Sequence, residues 1–186
     1  PSEFPPLRTL DAFPGNLPAQ VTTFIGRETE IRDVGAALGR APVVTLTGVG
    51  GVGKTRLALH AAAQAVVAYP DGVWLVELAP VDDPGEVAAS VAATLQVKDR
   101  LDPVDVIVGT LRRRTTLLVL DNCEHVVDAV AVLVERITQA CPDTTVLTTS
   151  REPLGVDGEV AYAVRPLPVG SSDPASAFES DAVRLF

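Results

Sequence analysis

"LTGVGGVGKTRLALH", residues Leu46–His60, places glycine at positions 48, 50, 51 and 53 and follows at once with Lys54 and Thr55. Upstream, "VVTLT" (Val43–Thr47) is short and apolar enough for a buried strand, and downstream a helix is expected from about Gly53 to Val67. Glycines admit backbone conformations and close approaches that a Cβ forbids, so successive N–H groups can converge on an anion. The helix that starts there adds the positive end of its dipole. The spacing fits G-x-x-x-x-G-K-[ST] between a strand and a helix, a loop that holds phosphate. Gly48, Gly50, Gly51, Val52, Gly53, Lys54, Thr55 and Arg56 are the candidate nucleotide-binding residues. Lys54 would reach the β- and γ-phosphates, and the Thr55 hydroxyl would hold Mg²⁺. The bland alternative is a glycine-rich turn that happens to precede Lys-Thr.

The rest of the chain repeats the strand–helix alternation. A helix is expected from about Arg27, with Ile31, Val34 and Leu38 at helical spacing. Strands are expected at Gly72–Leu78, Thr116–Asp121 and Thr144–Ser150, with a fifth at Val160–Val164. Helical stretches are expected around Pro84–Leu95, Pro103–Arg112 and Glu124–Ala140. Strands that are apolar throughout belong in a parallel sheet covered on both faces, which predicts a three-layer α/β domain. Residues 1–20 hold five prolines and no sustained periodicity, and read as a linker arriving from an upstream domain, with the nucleotide-binding domain over residues 21–186.

Ligands bind outside the carboxyl ends of the strands in such a sheet. Asp121, closing "TTLLVLD", should therefore face the same crevice as the glycine loop and hold Mg²⁺ together with Thr55. A helix-capping Asp is the structural alternative. Hydrolysis also needs a group to orient the attacking water. Asn122 cannot act as a base, and Glu124 is the nearest carboxylate, with a plain first-turn helix acid as the competing reading. Arg151, after "TTS", stands where a γ-phosphate could be sensed, although a strand-end surface arginine is the ordinary case. Arg112–Arg114 sit where a helix C-terminus favours cations and read as structural. His125 is expected to pack or face solvent.

Composition narrows the function. A formal net charge of −9 argues against this stretch gripping nucleic acid directly, because phosphate backbones need a basic footprint. No apolar run is long enough to span a bilayer, and no export leader is present, so a cytoplasmic location is expected. Cys123 and Cys141 lack metal-ligand spacing and should be reduced, packed thiols. Arginine outnumbers lysine 13 to 2 and methionine is absent, as expected for a piece of a longer protein from a GC-rich bacterial genome.

"FIGRETE", "GVGGVGKT", "LLVLDNCEH", "TTSRE" and "VRPLP" together resemble, in order and spacing, the nucleotide-binding domain of STAND-class P-loop ATPases. The chain is similar in particular to the NB-ARC-like domains of bacterial LuxR-type and antibiotic-regulatory transcriptional regulators. The resemblance covers about Asn16 to the C-terminus. It implies a five-stranded parallel sheet of the additional-strand type, with the Arg151 strand between the phosphate-loop strand and the Asp121 strand. It implies that Phe24, Ile25, Gly26 and Arg27 lie near the adenine, that Arg151 senses the γ-phosphate, and that ATP and ADP, with Mg²⁺, are the ligands. It also implies a switch held closed by ADP and opened by ATP, linked to lid, effector and DNA-binding domains of the same chain, with self-association in the ATP state. Two departures bear on this. Asn122 replaces a second acid, and the chain ends at Phe186, before the expected helical lid.

The expected function is thus an ATP-binding, slowly ATP-hydrolysing, Mg²⁺-dependent switch domain, with Lys54, Glu124 and Arg151 as its catalytic residues. A nucleotide-binding scaffold without hydrolysis is the alternative that Asn122 keeps open. A small-molecule kinase is a further one, but it would need an acceptor pocket and a lid with clustered arginines.

Overall fold

In the computed structural model, residues 13–18, 26–97 and 102–166 are described. The elements run α1 (Glu28–Leu38), β1 (Val43–Thr47), α2 (Lys54–Ala65), β2 (Val73–Glu77), α3 (Val87–Thr94), α4 (Pro103–Leu111), β3 (Thr116–Asp121), α5 (Val127–Ala140), β4 (Thr144–Ser150) and β5 (Glu159–Ala163). The five strands form one sheet in the order β2-β3-β4-β1-β5, every pair parallel. β4 thus lies between β1 and β3, as the resemblance implies.

Side chains on a strand alternate between faces, and at β1, β3 and β4 both faces are covered, whereas β5 at the sheet edge is largely exposed. Leu117 and Val119 of β3 join Val44, Leu46 and Leu147 under α1 and α2. Leu118 and Leu120 turn the other way and join Val76 and Val146 under α3, α4 and α5. This double burial is why the centre of β3, residues 117–120, reads as an unbroken apolar run. Across the β1–β4 ladder, where Thr45 faces Thr148, the two buried hydroxyls satisfy each other at 2.8 Å.

Several boundaries depart from expectation: β2 spans only Val73–Glu77, and Pro84–Glu86 form a 3-10 turn before α3. The helix expected from Glu124 begins as a 3-10 turn, Cys123–His125, and α5 starts only at Val127. The turn follows Asn122, whose backbone is left-handed (φ 64, ψ 52), a conformation that Asn tolerates better than most residues and that stops β3 from running straight into a helix. β5 begins one residue earlier than expected. Phe13–Pro18, read from sequence as part of a linker, lie against the free edge of β2. Gly15 forms a parallel bridge with Val73, and the Asn16 side chain donates to the Leu75 carbonyl at 2.8 Å while accepting the Leu75 N–H at 2.6 Å. An amide side chain here completes a strand ladder, which blunts an edge that would otherwise invite pairing. A side chain at Gly15 has no room, since its Cβ would fall 2.3 Å from the Val73 carbonyl oxygen.

Both cysteines are free and buried, as expected. Among the described residues, no helix is long and apolar enough to cross a membrane.

Candidate functional site

β1, β3 and β4 end side by side, and the residues that follow them form the site. After β1 the chain turns through Gly48 and reaches Gly53, the N-cap of α2, at φ 92. Gly48 is fixed by crowding: a Cβ there would meet the Val164 carbonyl oxygen at 2.8 Å. The opposite holds above the loop, where Cβ atoms built on Gly50, Gly51 and Gly53 would meet no protein atom within 4 Å. The backbone thus rims an open cradle. The start of α2 is also left bare. Gly53 has no side chain to cap it and the first turn holds no acid, whereas Asp102 caps α4 by accepting from the Val104 N–H at 2.9 Å.

Lys54 is only 8% exposed, and its Nζ donates to the carbonyls of Gly48 at 2.8 Å and Val49 at 3.2 Å. Among the described residues no carboxylate lies within ion-pair distance of it. A buried ammonium normally finds an anion. Here the loop braces the charge beside the cradle without neutralising it, which fits a phosphate.

The acid side of the site is equally organised. The β3–β4 ladder pairs Leu120 with Thr148, and this register brings Thr149 beside Asp121. Asp121 Oδ1 accepts from Thr55 Oγ1 at 2.8 Å and from Thr149 Oγ1 at 2.5 Å. Thr149 Oγ1 in turn accepts the Asn122 N–H at 2.9 Å. Thr55, Asp121 and Thr149 therefore present a cluster of hard oxygens, the donor type that Mg²⁺ selects. Sequence reading paired Thr55 with Asp121 but missed Thr149, whose signal was only its place one residue before the end of β4.

Glu124 and Arg151 are also brought together: Arg151 Nε lies 3.3 Å from Glu124 Oε1, with Arg151 well exposed and Glu124 largely buried. Glu124 Oε2 is buried and has no hydrogen-bond partner. Cys123, between the two acids, has its thiol pushed up to about 12, first by burial and then by the charge of Asp121, so it is no nucleophile. His125 rests on the Val81 carbonyl at 2.9 Å, away from these groups.

Of the residues expected near the adenine, Phe24 and Ile25 lie outside the described residues, and Gly26 turns at φ 76. Arg27 is 2% exposed. Its Nη2 donates to the Val52 carbonyl at 2.9 Å and the Arg165 carbonyl at 2.8 Å, and its Nη1 pairs with Glu30 at 3.4 Å. The structure thus occupies Arg27 with protein partners, a role the sequence did not reveal.

No family model matches the chain. An uncharacterized protein of Mycobacterium tuberculosis is 39% identical over 168 residues, which is 89% of this chain and 40% of that protein. A second protein of the same organism, provisionally named an HTH-type transcriptional regulator, is 42% identical over 155 residues, 81% of this chain and 16% of the other. The chain therefore spans well under half the length of the curated relatives it matches. Among solved structures, a Signal Transduction ATPase with Numerous Domains from Pyrococcus horikoshii, with a tetratricopeptide repeat sensor, superposes with a TM-score of 0.57 at 18% identity, over 85% of this chain and 25% of that one. The fold is that of the P-loop NTPases.

Proposed function

We propose that this P-loop domain is the Mg²⁺-nucleotide-binding unit of a larger transcriptional regulator, a switch that binds ATP, hydrolyses it slowly and responds to the difference between ATP and ADP. The observation that carries the reading is the buried, carboxylate-free ammonium of Lys54 beside an open glycine cradle, with Thr55, Asp121 and Thr149 across from it. Lys54 and the loop backbone from Gly48 to Arg56 would hold the phosphates, and Thr55 and Asp121 would hold Mg²⁺, which would draw charge from the γ-phosphate. The name of the mycobacterial regulator supports membership of a regulator, and with it the presence of output domains elsewhere in the same polypeptide. Residues 21–186 form the proposed nucleotide-binding domain, with residues 1–20 leading into it. Nucleic acid is not its own ligand, given a net charge of −9.

Glu124 is the proposed water-orienting group and Arg151 the proposed γ-phosphate sensor. Their ion pair couples the two roles: Arg151 turning toward a phosphate would free Glu124 Oε1 to orient a water. The same pair, with Asn122 beside it, favours a second reading in which the domain binds nucleotide without cleaving it. The two separate in one experiment: incubate the chain with Mg-ATP, desalt it, denature it and identify the retained nucleotide by chromatography. Hydrolysis predicts retained ADP in the parent and retained ATP in Glu124→Gln. Retained ATP in both contradicts hydrolysis and leaves the binding scaffold. No retained nucleotide, together with no binding at equilibrium, contradicts both.

A further inference from the structure

Resting on the nucleotide-binding reading, we propose that Arg27 is a positioning residue that ties the phosphate loop to the chain leaving β5, so that the seating of a phosphate is felt at Arg165. One nitrogen makes the tie. Nη2 of Arg27 donates to Val52, inside the loop, and to Arg165, two residues past the end of β5, carbonyls 25 and 138 positions away in sequence. A guanidinium presents its donors in a rigid fork, so moving either carbonyl must move the group or break a bond.

The loop end of the tie is at a sensitive place. The Val52 carbonyl and the Gly53 N–H belong to the same planar, trans peptide, so they point in opposite directions. Holding the carbonyl on Arg27 aims the Gly53 N–H away from Arg27, and any turn of that N–H toward a ligand rotates the bond to Arg27. The far end is equally close-set. The Val164 N–H donates to the Thr47 carbonyl at 2.8 Å, and the Val164 carbonyl oxygen is the atom that forbids a Cβ on Gly48. Residues 164–165 therefore touch the loop at its entrance directly, and near its exit through Arg27. Glu30 offsets the buried charge, with its side chain 29% exposed against 3% for Arg27.

The alternative is a direct contact between Arg27 and the base, and hydrogen–deuterium exchange separates the two. Exchange is followed in peptides covering residues 46–57 and 159–165 of the intact chain, without nucleotide and with Mg-ADP. In nucleotide-free Arg27→Gln, both peptides are expected to exchange roughly tenfold faster than in the parent, because two carbonyls lose one shared donor. Glu30→Gln, which spares both carbonyl bonds, should leave them near the parent rates. With Mg-ADP the parent should gain protection in both peptides, and Arg27→Gln only in 46–57. If Arg27→Gln unfolds the chain, Arg27→Lys, which keeps the charge but not the fork, must show the same double loosening. Loosening of one peptide alone, or weakened ADP binding with parent-like exchange in both, overturns the tie. A parent that binds no ADP overturns the proposed function, while the nucleotide-free comparison still decides whether Arg27 links the two segments.

Discussion

Replacing Lys54 with alanine is expected to weaken ADP and ATP binding by about 100-fold, the largest effect of any single substitution in the site. An ammonium has three donors, and two of those of Lys54 rest on the Gly48 and Val49 carbonyls. The third remains for a phosphate oxygen without dismantling the loop. Its loss removes one charge-assisted hydrogen bond, worth about 1.5–3 kcal/mol, and at the same time leaves two loop carbonyls unbraced. Equilibrium titration with a fluorescent ADP analogue reads the change. Because α2 keeps its packing through Leu57, Ala58, Ala61 and Ala62, the variant should melt close to the parent. Parent-like affinity in a folded variant would mean that the cradle does not hold phosphate.

Much of this architecture was legible in the residues. The bounds of β1, β3 and β4 agree with the sequence reading, most plainly in β3, which is buried on both faces and apolar between Thr116 and Asp121. The Thr55–Asp121 contact followed from a general rule that strand ends in a parallel sheet face one crevice. What the sequence concealed depends on contacts between distant residues or on unusual backbone. Arg27 reads as part of a segment near the adenine, and only the fold brings the Val52 and Arg165 carbonyls to it. Thr149 reads as strand until its register sets it beside Asp121. The proline-rich start shows no periodicity, yet Asn16 completes the edge of β2 with a side chain. The late start of α5 follows from a left-handed Asn122, and no helical spacing announces that.

Asp121→Ala should have the second-largest effect, and a different one: it should abolish the dependence on Mg²⁺ rather than all binding. In the parent, adding Mg²⁺ in place of a chelator should tighten ADP binding at least ~10-fold, because Thr55 and Asp121 supply oxygen ligands to an ion that also bridges phosphates. The variant removes the acceptor that Thr55 and Thr149 share. Its affinities with Mg²⁺ and with chelator should then converge. The loss also leaves Thr149 with the Asn122 N–H alone, so a modest fall in thermal stability is expected beside the binding defect. Retention of the full Mg²⁺ effect in the variant would move the metal away from this cluster.

The buried cation of Lys54 beside an open glycine cradle should hold a nucleotide. Calorimetric titration of Mg-ADP into the intact chain tests it most directly. Saturable heat is expected at one nucleotide per chain, weakened when Mg²⁺ is chelated. Absence of any heat from either Mg-ADP or Mg-ATP at millimolar concentration would contradict it.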